Sequence, residues 1–330
     1  MSEDNLIAEM CRQLPDKSES VILGIGDDTA VVRPPQGPML FCSDAAVENT
    51  HFKIGWSQPA EIGHKALAAC LSDIAAMNGR PLYAVISLAL RPHLPEKFHL
   101  ELYRGIAALA YKYSLQIVGG DLTYSQKEVF IDVSLIGESL SPLAGLTTRS
   151  GAQPGDLLMV SGPLGTAAAG LYCFENSLQS EPRYSLLKRA YLTPEPRLDL
   201  LPLLAGAPGL VTAMMDVSDG LSSDLHRLAR SSKVGFQIFS ENLPIHSSVR
   251  ALCQTYQIDP IKLALHGGED YQLLLCVNAQ AWETICQSQP KLESLLTCIG
   301  YATTADLGLT IVKKNNTEEP LQAQGWDPFR

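Results

Sequence analysis

Five short segments of this chain place aspartate beside glycine or serine at the edge of an apolar run, and this recurrence restricts the fold more than any other feature. The densest is Asp216-Val217-Ser218-Asp219-Gly220-Leu221, directly after the apolar stretch Leu210 to Met215. The stretch reads as a buried strand, and the acids stand where it opens into a loop or a helix start. Carboxylates are seldom buried unless paired or bound to metal. No Lys or Arg follows until Arg227, so the two acids call for a cation from outside the chain. Mg²⁺ suits such an all-oxygen site. The other four segments are Gly24-Ile25-Gly26-Asp27-Asp28, Ser43-Asp44, Ser72-Asp73 and Gly119-Gly120-Asp121. Taken singly, each is read as a helix cap or a turn. Taken together, they point to one shared acidic, metal-binding site.

The remaining composition narrows the function classes. A length of 330 residues allows two ordinary domains or one large one, and 46% hydrophobic residues suffice for sizeable cores. The formal net charge of −10 and the lack of a basic stripe argue against non-specific nucleic-acid binding. Part of that acidity serves solubility and part belongs to the aspartate clusters. The acidic start, Met1 to Asn5, is unlike a secretory signal. The greasiest stretch, Leu198 to Met215, is broken by Asp199, Pro202 and Pro208, so no membrane span is expected. Eight cysteines without a Cys-x-x-Cys pair fit reduced thiols and a cytoplasmic location.

Along the chain, residues 4–14 have the spacing of a short amphipathic helix. Strands are predicted around 29–33 and 39–43, joined by the turn Pro34 to Pro38. Helices follow at 60–78 and 95–113, with strands at 83–90, 115–118 and 129–136. Turn signals over 138–154 mark a domain boundary, placed between 147 and 148. Beyond it, 156–161 reads as a strand running into Gly162 to Gly170, a glycine turn that opens a helix. That turn suits either anion binding by helix amides or tight strand–helix packing. Helices near 183–191, 198–205 and 221–231 and strands near 234–239, 271–277 and 309–313 complete a second α/β half, with 315–319 read as a polar loop. The expected fold class is α/β in two domains, 1–147 and 148–330.

The ordered motifs carry a resemblance. Gly-Ile-Gly-Asp-Asp (24–28), Ser-Asp-x-x-x-Glu-x-x-His-Phe (43–52), Ser-Asp-Ile-Ala-Ala-Met (72–77) and Gly-Gly-Asp (119–121) come first. Thr-Arg-Ser-Gly-Ala-Gln-Pro-Gly-Asp (148–156), Asp-Val-Ser-Asp-Gly-Leu (216–221) and Gly-Gly-Glu-Asp-Tyr (267–271) follow. Each motif alone is weak; seven in this order, from about Gly24 onward, resemble the thiamine-monophosphate kinases of the aminoimidazole-ribonucleotide-synthetase-like superfamily. The resemblance implies phosphorylation of thiamine monophosphate by ATP to thiamine diphosphate, the last step of thiamine diphosphate biosynthesis. It also implies a homodimer whose N-terminal domains build a β-barrel, with ATP and several Mg²⁺ ions between the domains.

Phosphoryl transfer between two anions is mostly a matter of neutralisation and alignment, which explains a site built of aspartates. By resemblance the metal ligands are Asp27, Cys42, Ser43, Asp44, Asp73, Asp121, Asp216 and Asp219. Cys42 stands where relatives often offer a hydroxyl, so its backbone carbonyl is the expected donor. Asp28 is read equally as ligand or turn residue. ATP is assigned to Gly120, Asp121, Arg149 and Ser218, because a guanidinium forks onto phosphate oxygens and amides and hydroxyls approach them. Lys65 is read as a solvated lysine.

Thiamine monophosphate is assigned to His51, Glu269, Phe329 and Trp326. A carboxylate and an aromatic face both suit a cationic thiazolium. Proline at 328 replaces the histidine usual in relatives, which leaves the stacking ring open between Phe329, favoured by alignment, and Trp326. No general base is required and no catalytic side chain is expected beyond the metal and phosphate ligands. Cys11 in a helix and Cys298 as the last cysteine argue against selenophosphate synthetases and hydrogenase-maturation relatives. The reading from another class is a catalytically silent binder of nucleotide or thiamine phosphate, which the complete acidic set disfavours.

Overall fold

A computed structural model describes residues 3–329 of the chain, and it divides them into two compact units. The first comprises residues up to Ile74 and Gly79–Pro142; the second takes in Ala75–Asn78 and runs from Leu143 onward. The unit therefore changes at Pro142/Leu143, inside the turn-rich stretch 138–154.

The first unit runs α1 (Glu3–Cys11), β1 (Val21–Leu23), β2 (Val31–Val32), β3 (Met39–Val47), α2 (Pro59–Ala76), β4 (Gly79–Leu90), α3 (Glu96–Lys112), β5 (Gln116–Tyr124) and β6 (Phe130–Ser139). Four strands form one sheet in the order β3-β6-β4-β5, antiparallel except for the β4–β5 pair. Helices α2 and α3 are apolar on wide faces: Ile62, Leu67, Leu71 and Ile74 of α2, and Leu102, Ile106 and Leu109 of α3, are essentially fully buried. Each such side chain contributes roughly 1.5–3 kcal/mol on burial. The two helices meet backbone to backbone. A Cβ at Gly63 would overlap the Leu102 carbonyl, and one at Gly105 would overlap the Ala60 carbonyl. On the other face of the sheet, the β1–β2 ribbon packs Val21 and Val32 against Tyr83, Val118 and Ile136. The rest of that face stays open, with Phe41 69% and Met39 61% exposed.

The second unit runs β7 (Leu157–Val160), α4 (Thr166–Glu175), α5 (Ser185–Leu192), α6 (Leu201–Ala205), β8 (Val211–Val217), α7 (Leu221–Ser232) and β9 (Gly235–Phe239). It continues through α8 (Ser247–Tyr256), α9 (Pro260–His266), β10 (Gln272–Val277), α10 (Ala279–Ser288), α11 (Pro290–Leu295), β11 (Thr297–Thr303), β12 (Leu309–Val312) and β13 (Glu318–Pro320). Seven strands form a mainly antiparallel sheet in the order β13-β12-β9-β11-β7-β10-β8. Its main core joins Leu158, Val160, Met215, Phe236, Ile238 and Leu274 of the strands to Leu221, Leu225 and Leu228 of α7.

Both units mix helices and strands, as the alternation predicts, but their sheets are mainly antiparallel. Three local expectations change. Gly119-Gly120-Asp121 does not follow a strand but lies within β5, because Gly120 and Asp121 continue the parallel ladder against Ile86 and Ser87. Ser43-Asp44 sits in the middle of β3, where its partners on β6 extend the pairing to Val47. The expected loop 315–319 is the tip of a hairpin, and Glu318–Pro320 pair with β12. No described helix is long and apolar enough to cross a membrane.

Candidate active site

In the first unit, strand and helix periods bring the acids together. Alternate residues of β3 face opposite ways. Cys42 and Asp44 meet Cys70 and Asp73, which are three residues apart and so share one face of α2. The Cys42 and Cys70 sulfurs lie 3.2 Å apart and both thiols are free. The carboxyls of Asp44 and Asp73 are hydrogen-bonded to each other. Burial raises the Asp44 pKa above the ordinary carboxylate value, and the Asp132 charge adds to that; the Asp73 bond and His51 oppose it. Ser43 points the other way. Its hydroxyl donates to Asp132 Oδ1 at 3.1 Å and pairs with Ser134 Oγ at 2.9 Å. The triplet Cys42-Ser43-Asp44 therefore serves two faces. Asp132, which the sequence reading passed over, belongs to the Ser43 side.

His51 accepts the Val47 N–H on Nδ1 at 3.1 Å, a bond that requires Nδ1 to be unprotonated. Lys65 is not the solvated lysine expected. It is only 6% exposed and donates to the His51 carbonyl at 2.9 Å, because its position on α2 turns it toward the loop that carries His51. Asp27 and Asp28 are exposed in a turn closed by the Asp28 N–H on Asp27 Oδ1 at 2.8 Å. Gly120 and Asp121 are exposed on edge strand β5. Gly119 to Leu122 also line a small cavity open to solvent, with Ile7, Met10, Ile25, Ile86, Leu88 and Tyr103 supplying apolar walls. The sequence hid that cavity because its lining side chains read as ordinary core positions.

In the second unit three segments converge on one loop. Strand β8 is an edge strand, and it delivers the buried Asp216 to the turn Ser218-Asp219-Gly220, where Gly220 takes φ 111° before α7 begins. Asp219 is not without a cationic partner, as the sequence spacing suggested. The first turns of α7 carry Arg227 back over the loop, and its Nη2 lies 2.5 Å from Asp219 Oδ2. Arg227 Nη1 reaches Asp224 Oδ1 at 2.5 Å. Asp224 is a further acid that sequence reasoning missed. Burial, then the Asp216 charge, pushes its pKa up to about 7 against the pull of Arg227.

The second segment, Gly267 to Tyr271, stacks on the same turn. The Glu269 N–H donates to the Ser218 carbonyl at 2.7 Å, and the Tyr271 N–H to the Val217 carbonyl at 2.9 Å. Glu269 and Tyr271 both adopt positive φ, 66° and 48°, which non-glycine residues take only where surroundings demand it. Between them Asp270 turns inward. Its carboxylate accepts the N–H groups of Gly165 at 2.5 Å and Ala167 at 2.9 Å. The glycine turn that opens α4 thus spends its amides on an internal carboxylate, which answers the choice between anion cradle and close packing. Burial pushes the Asp270 pKa up to about 7, although these N–H donors pull it down.

The third segment is the tail. The Trp326 N–H donates to the Asp219 carbonyl at 2.8 Å, and the Gly325 N–H to Ser223 Oγ at 2.9 Å. A Cβ at Gly325 would overlap the Asp219 carbonyl oxygen. Past this anchor, Trp326 is 52% and Phe329 95% exposed, with the Phe329 N–H turned back onto Asp327 Oδ1 at 3.0 Å. Arg149 is exposed, its carbonyl held by Ser232 Oγ at 2.9 Å. Among the described residues no group of three or more His, Cys, Asp or Glu side chains converges closely enough to hold a metal ion. The acids come instead in pairs: Asp44 is hydrogen-bonded to Asp73, and the Asp216 charge bears on Asp224.

Comparison with known proteins finds relatives along the whole chain. Residues 26–139 match the family described as AIR synthase related protein, N-terminal domain, and residues 153–310 match the corresponding C-terminal domain. The chain is 35% identical over 317 residues to thiamine-monophosphate kinase of Bacillus subtilis, covering 94% of each protein. It is 32% identical over 335 residues to that of Escherichia coli K12, covering 99% of this chain and 98% of the relative. Among solved structures, AaThiL complexed with AMPPCP and TMP superposes with a TM-score of 0.78 at 32% identity, over 99% of this chain and 96% of that one. The two domain matches together span most of the chain, and the full-length similarity carries both. The chain belongs to the AIR synthase related family and, within it, to the thiamine-monophosphate kinases.

Proposed function

We propose that the chain transfers the γ-phosphoryl group of ATP to thiamine monophosphate, giving ADP and thiamine diphosphate. The observation that carries this reading is the convergence of Asp216–Gly220, Gly267–Tyr271 and the tail on one loop. It joins acids suited to a metal–phosphate complex with the residues assigned to the thiamine side. An acceptor phosphate oxygen attacks the γ-phosphorus in line as the bond to the ADP oxygen breaks. The acceptor is already ionised at neutral pH, so the step needs no general base.

The donor set fits divalent cations. Asp44 and Asp73 set two carboxyls side by side, and Mg²⁺ takes one or two carboxylates with waters and phosphate oxygens. Asp27, Ser43, Asp44, Asp73, Asp121, Asp216 and Asp219 would hold such ions, with Cys42 offering only its carbonyl. When bound, the ions neutralise and align the two phosphates. Arg149, Ser218 and Gly120 contact ATP. The apolar cavity beside Gly119–Leu122 takes the adenine ring, whose flat face suits walls such as Ile25 and Leu88. Glu269 and the ring of Phe329 or Trp326 face the thiamine cation, and His51 its phosphate.

The working form in this reading is a homodimer. A second copy covers the open face of the first sheet around Phe41 and Met39 and closes a β-barrel, since exposed aromatic and apolar residues in one patch favour association. We place the reaction in the cytoplasm, in keeping with eight free cysteines. The test is a coupled assay with ATP, Mg²⁺ and thiamine monophosphate, beside thiamine and aminoimidazole precursors. Product from the monophosphate alone, and only with Mg²⁺, supports the reading. ATP binding without product would replace it with a silent binder.

A further inference from the structure

Three consecutive backbone N–H groups, at Ser218, Asp219 and Gly220, point at one oxygen, Asp224 Oδ2, at 3.1, 3.2 and 3.1 Å. Successive N–H groups that converge form a concave nest for an anion and cannot all join a helix or ladder. Here the anion is internal and 0% exposed. The other oxygen of Asp224 meets Arg227, whose second nitrogen holds Asp219. The carbonyls of the same turn point away from the nest: Ser218 receives the Glu269 N–H and Asp219 receives the Trp326 N–H. One carboxylate thus grips the inner side of a turn whose outer side carries both the Gly267–Tyr271 segment and the tail.

We propose that Asp224 is a positioning residue for the phosphoryl transfer: by fixing the backbone of Ser218–Gly220 it sets the direction of the Ser218 hydroxyl and the Asp219 carboxylate. Through the two outward carbonyls it also sets the placement of Glu269 and Trp326. Asp224 itself touches no reactant. Arg227 supplies the second tie, holding Asp219 in the orientation the turn dictates. The proposal rests on the kinase reading for its kinetic part, while its structural part stands apart from that reading.

The test compares Asp224→Asn, Asp224→Ala and Arg227→Gln. Asparagine keeps one oxygen for the three N–H groups but offers no anion to Arg227; alanine leaves the nest empty. Steady-state kinetics should give a kcat loss of about 3- to 10-fold for D224N and about 100-fold or more for D224A. KM for ATP should stay within about threefold of wild type in D224N. R227Q should resemble D224N. Amide hydrogen exchange supplies the readout that a merely structural role would not move. In D224A, protection should fall at Ser218, Asp219, Gly220, Glu269 and Trp326 while the β10 amides stay protected; D224N should retain most of it. A kcat for D224A within threefold of wild type would overturn the proposal. So would unchanged exchange at Glu269 and Trp326, or a uniform loss of protection in D224N and D224A alike. If the wild type had no kinase activity, the kinase reading would fall, and the exchange pattern alone would decide whether Asp224 places these segments.

Discussion

Asp44 on β3 and Asp73 on α2 share a hydrogen bond between their carboxyls, and burial raises the Asp44 pKa above the ordinary carboxylate value. In the kinase reading proposed above, this pair would hold a divalent cation. Asp44→Ala should therefore abolish turnover, by about 10³-fold or more, while leaving the fold intact. Mg²⁺ with ATP should raise the thermal midpoint of wild type and leave that of the variant unchanged. Differential scanning with and without Mg²⁺ reads all of this, and a normal kcat would remove Asp44 from the metal site. Asp216→Ala should behave alike in turnover.

The tail gives a second test. Phe329→Ala should raise KM for thiamine monophosphate about 5- to 30-fold, the span of a cation–π contact, with KM for ATP unchanged. Gly325→Ala should do the same without touching an aromatic ring, because its Cβ would press on the Asp219 carbonyl and lift the anchor at Trp326. Initial-rate measurements against each substrate separate the two. Equal rises in both KM values would show that the tail serves the nucleotide as well.

Association is testable through Phe41, an exposed aromatic on the open sheet face. Phe41→Asp should shift the protein to monomer in sedimentation velocity, with the circular dichroism of wild type. A dimer that survives the change would move the interface elsewhere.

Acidity should stabilise one buried group. Asp270 titrates near 7 in the folded chain against 3.8 ordinarily, so the folded state binds the extra proton between those values. Its contribution is fully present below about pH 4 and is lost as pH rises through about 7, amounting to on the order of 4 kcal/mol. Chemical denaturation from pH 4.5 to 7.5 should therefore show a shallower fall of stability with pH in Asp270→Asn than in wild type. Parallel curves would mean that the Gly165 and Ala167 donors keep Asp270 ionised throughout.

Much of this was legible in the sequence because it is periodic. Alternation in β3 and the 3.6-residue turn of α2 are local rules, and together they bring residues 42 and 44 against 70 and 73. The Gly-Gly-Asp segment misled because turn propensity is local, whereas the β4–β5 ladder that overrides it joins residues about thirty apart. Arg227 looked distant from Asp219 along the chain, yet two turns of α7 bring it back over the acid. Asp224 carried a faint signal, an acid in the first helical turn after Ser-Asp-Gly, but first-turn acids are common for reasons of helix dipole alone. The docking of the tail on the Asp219 loop had no sequence signal at all.

Gly63 and Gly105 let α2 and α3 touch backbone to backbone, and so set how closely the helix that bears Asp73 lies against its neighbour. Gly63 is about 15 Å of helix away from that acid, at 1.5 Å per residue. A screen for lost activity should nevertheless collect changes at Gly63 beside changes at Asp73, because a methyl group at one would shift the carboxylate at the other. Sensitivity to substitution in this chain will trace its scaffolding as sharply as its chemistry, and the most informative silent positions are those where nothing but hydrogen fits.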